Sequence, residues 1–114
     1  MVTLKPKTER ELMAEIKRAA QELGFLAYHN LYSVGSDPGF PDLTISGPID
    51  WPTATMFYEV KGPRGKPTDR QLLWLATLHA QGFIARLVRE ENVGDVYDDL
   101  ATAYARALER RQRG

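Results

Sequence analysis

GFPDLTI (Gly39–Ile45) and TMFYEVK (Thr55–Lys61) are the two stretches whose reading decides the fold. Both alternate in the manner of strands, and both carry charge where a buried strand should carry none. Side chains point to opposite faces at successive strand positions, so Glu59 and Lys61 share one face of TMFYEVK while Tyr58 and Val60 take the other. Asp42 opens the strand DLTIS directly after a loop rich in glycine and proline. Three charges inside apolar runs are costly unless something uses them.

Working outward, Thr8 and Glu11 have the T-x-x-E spacing of a capping box. Leu12, Ile16, Ala19 and Leu23 then recur at helical spacing until Gly24. The run Phe25–Tyr32 (FLAYHNLY) reads as a strand and SVGSDPGFP as a loop. GPIDWP separates the second strand from the third, and GPRGKP follows the third. Thr68–Gln81 is predicted as a second helix, with Leu72, Leu75, Ala76 and Leu78 as its apolar stripe and Gly82 as its stop. Phe83–Val88 (FIARLV) is a fourth strand, and a last helix runs from about Val93 to Arg110 before the tail RRQRG. The order is αβββαβ plus a C-terminal helix. A helix between the third and fourth strands permits a parallel crossover, and the shorter links among the first three favour antiparallel pairing. The expectation is an α/β fold with a mixed central sheet flanked by helices, formed by one domain over residues 1–114.

Composition excludes several classes. At 114 residues, with 43% hydrophobic and 26% charged residues, the chain suits one packed core and not a disordered polymer. With no cysteine there is neither a disulfide framework nor a thiolate zinc site. No stretch resembles a signal peptide or a membrane span, so a cytoplasmic protein with no membrane partner is expected. Fifteen basic and fifteen acidic residues give zero net charge, so any case for nucleic acid rests on local charge.

Local charge is present. Asp42 and Glu59, on neighbouring strands, can converge, and two such carboxylates stay ionised together most readily around a divalent cation. Oxygen donors of this kind suit Mg²⁺ or Mn²⁺. Lys61 beside them can help deprotonate a water or stabilise charge on a phosphate. Arg64, Lys66 and Arg70 follow in a loop whose glycines let backbone approach a phosphate, the alternative being a solvated loop.

The Gly-x-Pro-Asp of GFPDL, the Glu-x-Lys of EVKG and the Gln in KPTDRQLLWL together resemble the VRR-NUC branch of the PD-(D/E)XK nucleases, over about Thr8 to Val88. The resemblance implies a restriction-endonuclease-like core in which Asp42 and Glu59 bind metal, the Val60 carbonyl is a further metal ligand and Lys61 is the catalytic lysine. It also places Gln71 of the second helix and a first-helix glutamate in the site. Gln71 equally completes a T-x-x-Q capping box with Thr68. For the glutamate, Glu9 lies near the centre line of the inward stripe at the helix mouth, with Glu15 in reserve and Glu11 used by the cap. His29 is read as a structural histidine or a substrate contact. After the fourth strand RLVREENVGDVY departs from the family pattern, leaving the course of the last helix open.

The implied activity is a Mg²⁺- or Mn²⁺-dependent endodeoxyribonuclease. Small stand-alone members, typical of phage and bacterial genomes, are thought to act as homodimers on branched DNA such as four-way (Holliday) junctions. The alternative is a catalytically silent DNA-binding or assembly module. Trp51, Phe57, Trp74 and Tyr104 are either part of one protomer's core or in part a subunit interface.

Overall fold

The computed structural model describes residues 4–30, 37–51 and 55–113. Three helices and four strands run in the order α1 (Glu9–Glu22), β1 (Leu26–His29), β2 (Leu43–Ser46), β3 (Thr55–Val60), α2 (Asp69–Ala80), β4 (Ile84–Val88) and α3 (Val93–Arg113), with a 3₁₀ turn at Glu90–Asn92. The sheet order is β1-β2-β3-β4. β1 and β2 pair antiparallel, as do β2 and β3, with Leu43 opposite Tyr58 and Ile45 opposite Met56. β3 and β4 pair in parallel, with Glu59 opposite Leu87, and α2 makes the crossover. This is the αβββαβ core with an added C-terminal helix, a mixed sheet compatible with the restriction-endonuclease-like fold.

The first two helices are punctuated alike. Thr8 Oγ1 accepts from the Glu11 N–H at 3.1 Å while the Glu11 carboxylate accepts from the Thr8 N–H at 3.1 Å. Thr68 and Gln71 repeat the arrangement on α2, at 3.1 and 2.9 Å. Each helix then ends in Gly-Phe. Gly24 and Gly82 have φ of +94° and +95°, a conformation in which a Cβ is strained. Phe25 N–H and Phe83 N–H reach back to the carbonyls of Ala20 and Leu78.

The sheet separates two apolar layers. On one face Met56, Tyr58 and Val60 meet Leu12, Met13, Ile16 and Ala20 of α1 and Val96, Leu100 and Ala107 of α3. α3 therefore joins the main core. On the other face, Phe57 packs edge-on against Phe40 and Phe83, and Phe40 against Trp74 of α2. Trp51, buried, packs against Phe25 and Tyr104. All four aromatics that could have marked an interface thus find partners within one chain.

Several boundaries and one stripe differ from expectation: β4 begins at Ile84, not Phe83, and α3 continues to Arg113, so most of the expected tail RRQRG is helical. β1 spans Leu26–His29, shorter than the predicted Phe25–Tyr32, because Phe25 is consumed by the α1 cap; Leu31 and Tyr32 lie outside the described residues. Asp42 and Lys61 fall just outside β2 and β3. The buried side of α2 is Leu75, with Gln71, Trp74 and Leu78 half-buried, whereas Leu72 and Ala76 of the expected stripe are exposed. The helix is turned so that Trp74 reaches Phe40. That rotation also sends Gln71 inward.

Candidate active site

β3 delivers Glu59 to the α2 side of the sheet with only 1% of its surface exposed. One carboxylate oxygen, Oε2, accepts from Gln71 Nε2 at 3.2 Å and faces Lys61 Nζ at 3.2 Å. The other, Oε1, is buried with no hydrogen-bond partner among the described residues. Burial, followed by the nearby Asp42 carboxylate, pushes the Glu59 carboxyl up to about 8 against the opposing pull of Lys61.

Asp42 is held by backbone. Its Oδ2 accepts from the Val60 N–H at 3.2 Å and its carbonyl from the Asn30 N–H at 2.6 Å. Pro41 before it is buried. Glu9 arrives from a third direction, in the first turn of α1, where Gly62 makes room: a Cβ on Gly62 would stand 3.3 Å from the Glu9 nitrogen. One carboxylate oxygen from each of Glu9, Asp42 and Glu59 lies within 4.8 Å of the others.

This donor set fits a hard divalent cation. It is all oxygen, it converges, and it includes a buried acceptor without a partner among the described residues. The same cation would offset the burial and, after it, the Asp42 repulsion that push the Glu59 carboxyl up.

The other expected residues divide. Gln71 serves both readings at once, with Oε1 in the cap and Nε2 on Glu59. Glu15 is turned away, accepting from Lys7 Nζ and the Tyr97 hydroxyl, and those bonds hold it below the usual carboxylate range. Val60 contributes its N–H to Asp42. His29 lines a groove of about 440 Å³ with Glu9 and Asp42. Arg64 and Lys66 line a second groove, of about 700 Å³, with Lys61 and Glu9. Arg70 lines neither of these two grooves among the described residues: its guanidinium pairs with Asp37 at 2.6 Å, on the far side of the Gly39 loop.

Asp37 is a residue that sequence reasoning missed. It accepts from Arg70, from Trp74 Nε1 at 3.0 Å and from the Gly39 N–H at 2.9 Å, which together keep it well below the usual carboxylate range. Gly39 itself lies so close to α2 that a Cβ would fall 2.7 Å from the Arg70 carbonyl. The loop that presents Asp42 is thereby fastened to the helix that presents Gln71. An Asx turn two residues long, Asp37 to Gly39, was the available signal. Arg89 was also missed; it donates to the Gly62 carbonyl at 3.1 Å and braces the turn after Lys61.

Residues 3–91 match the VRR-NUC domain, most of the chain's length, and the chain belongs to that family. Its function is accordingly of the nuclease type, acting on DNA. No curated protein shows significant similarity to the chain.

Proposed function

We propose that this chain is a metal-dependent endodeoxyribonuclease in which Glu9, Asp42 and Glu59, with the Val60 carbonyl, hold Mg²⁺ or Mn²⁺. The observation that carries the reading is the convergence of the Glu9, Asp42 and Glu59 carboxylates, with the buried Glu59 Oε1 lacking a partner among the described residues and Oε2 facing Lys61. A divalent ion at such oxygens supplies acidified water and charge neutralisation. Asp42, pinned by the Val60 N–H, and Glu59, pinned by Gln71, keep their oxygens in fixed positions, so little reorganisation is needed when substrate enters. Lys61 contributes a positive charge and hydrogen-bond donors where negative charge grows on the phosphate. As water attacks in line, its oxygen forms the new bond to phosphorus, the bond to the leaving sugar oxygen breaks, and a proton returns to that oxygen. Arg64 and Lys66, exposed along the groove that includes Lys61, bind the substrate backbone, and His29 contacts it from the other groove. Arg70 acts through Asp37 to set the Asp42 loop and touches no phosphate.

Melting curves with and without Mg²⁺ test the assignment. The wild type is stabilised by the ion and Asp42→Ala is not; equal stabilisation of both removes Asp42 from the site.

The finer reading is a homodimer that cuts branched DNA. One chain presents one such cluster, a two-fold pair would present two to a four-way junction, and Leu72 and Leu73, exposed on α2, offer apolar area for a second copy to cover. Sedimentation as a monomer at micromolar concentration contradicts the dimer, and equal cleavage of junction and linear duplex contradicts the selectivity. Among the described residues no helix is long and apolar enough to cross a membrane.

A further inference from the structure

Two grooves flank the acidic cluster and share one of its residues. Glu9 lines both. Zero net charge conceals a strong segregation: seven of the fifteen Lys and Arg residues line one groove or the other, whereas the only acids lining them, among the described residues, are Glu9 and Asp42 of the cluster itself. Many of the balancing acids lie elsewhere in sequence, at Glu90, Glu91, Asp95, Asp98 and Asp99.

The groove containing Lys61 is the one that the loop cations Arg64 and Lys66 mark. The opposite groove owes its charge to α1. Arg10 and Lys17 are seven residues apart, two turns, and so project on one side of the helix, separated by about 10.5 Å of axis. Ala14 lies between them and, with Met13, lines the groove without blocking it. Neither cation takes part in an ion pair with another described residue, unlike Lys7, Lys61, Arg70, Arg86 and Arg111. A separation of about 10.5 Å lets the two cations meet different phosphates of one strand. Two unpaired cations at that spacing beside a hydrolytic cluster suit a polyanionic backbone.

We propose that Arg10 and Lys17 form a second phosphate-binding wall, so that a DNA strand entering along Arg64 and Lys66 crosses the cluster at Glu9 and continues over α1. The substrate class is taken from the nuclease reading, on which this inference rests, and it adds the strand's course and two binding residues. Each side chain acts as a phosphate contact, which carries no sequence information and responds to salt.

The test is duplex binding measured in EDTA across about 50 to 200 mM salt, alongside cleavage with Mg²⁺ and Mn²⁺. Losing two phosphate contacts should reduce the slope of log K against log salt by about 1.8 in R10Q/K17Q, at about 0.9 per contact. R10K/K17R, which keeps both charges and reports on folding, should retain the wild-type slope. R64Q/K66Q should lose a similar amount, and the two losses should add. A wild type that cuts DNA while R10Q/K17Q keeps an unchanged slope overturns this wall and leaves the nuclease reading standing. A wild type that binds through Arg10 and Lys17 but cuts with neither metal does the reverse. No binding at any salt concentration overturns the wall outright.

Discussion

Two buried carboxylates lie on opposite sides of β3, and their surroundings differ in kind. Asp99 of α3, 8% exposed, has both oxygens occupied: Arg86 donates to each at 2.7 Å and the Tyr58 hydroxyl adds a third bond at 2.7 Å. Glu59, at the next position along β3 from Tyr58, has two partners crowded on one oxygen, none on the other among the described residues, and a second carboxylate for a neighbour. The first is a closed clamp that fastens the C-terminal helix to the sheet. The second is an open valence. A buried acid that the protein satisfies completely holds structure together, and one left partly unsatisfied is available to something that arrives from outside.

The sharpest way to break this contrast is to neutralise each acid in turn. Glu59→Gln should lower cleavage by about 10²-fold or more while the metal-free fold keeps or gains stability, since the cost of burying a carboxyl that ionises readily in the unfolded chain is gone. Asp99→Asn should leave Arg86 without its counter-charge and cost about 2–3 kcal/mol, the low end for a buried pair because Arg86 stays partly wet, while per-molecule activity of the folded fraction persists. Denaturant titrations and single-turnover cleavage separate the two outcomes. A strongly destabilised Glu59→Gln would reverse the assignments.

Acidity sharpens the same contrast. Glu59 titrates near 8 in the folded metal-free protein against an ordinary 4.5, so the folded state holds this proton more tightly than the unfolded chain. Stability from this group is complete below about pH 4.5 and drains away as pH rises through 8. Thermal melts in EDTA should fall between pH 5 and 8, the fall should be absent in Glu59→Gln, and Mg²⁺ should restore the most stability at the alkaline end. The bonds that hold Glu15 and Asp37 below the usual range act at lower pH and leave this window unaffected.

The smallest effects concern the neighbours. Tyr58→Phe removes one of three bonds to Asp99 and should cost about 1 kcal/mol without touching the pH profile. Gln71→Ala should cost a similar amount, from the α2 cap, and in addition reduce cleavage by letting Glu59 turn. A Gln71→Ala enzyme with full activity would confine that residue to the cap.

What the sequence disclosed and what it withheld follow the range of the interactions. The helix caps at Thr8 and Thr68, the stops at Gly24 and Gly82, and the shared face of Glu59 and Lys61 depend on residues within a few positions of one another, and spacing alone exposes them. The parallel pairing of β3 with β4 was legible because an intervening helix leaves little choice. Asp37 was not, since its partners Arg70 and Trp74 lie 33 and 37 residues away. The same distance hid the pairing of Arg70 with Asp37. The α2 stripe is misleading because leucines alone do not fix the direction of a helix: Trp74 and Gln71 look inward, and Leu72 does not. Glu9 could be favoured by its angle on α1, but its approach to Asp42 depends on a glycine, Gly62, on another element.

If the open carboxylate and its companions cut DNA, plasmid cleavage by wild type and Lys61→Ala in Mg²⁺, Mn²⁺ and EDTA will show it. Wild type should nick or linearise the plasmid with at least one metal and not in EDTA, and Lys61→Ala, folded by its melting curve, should lose about 10²-fold or more of that rate. Undiminished cleavage by Lys61→Ala, cleavage that persists in EDTA, or a wild type silent with both metals would contradict it.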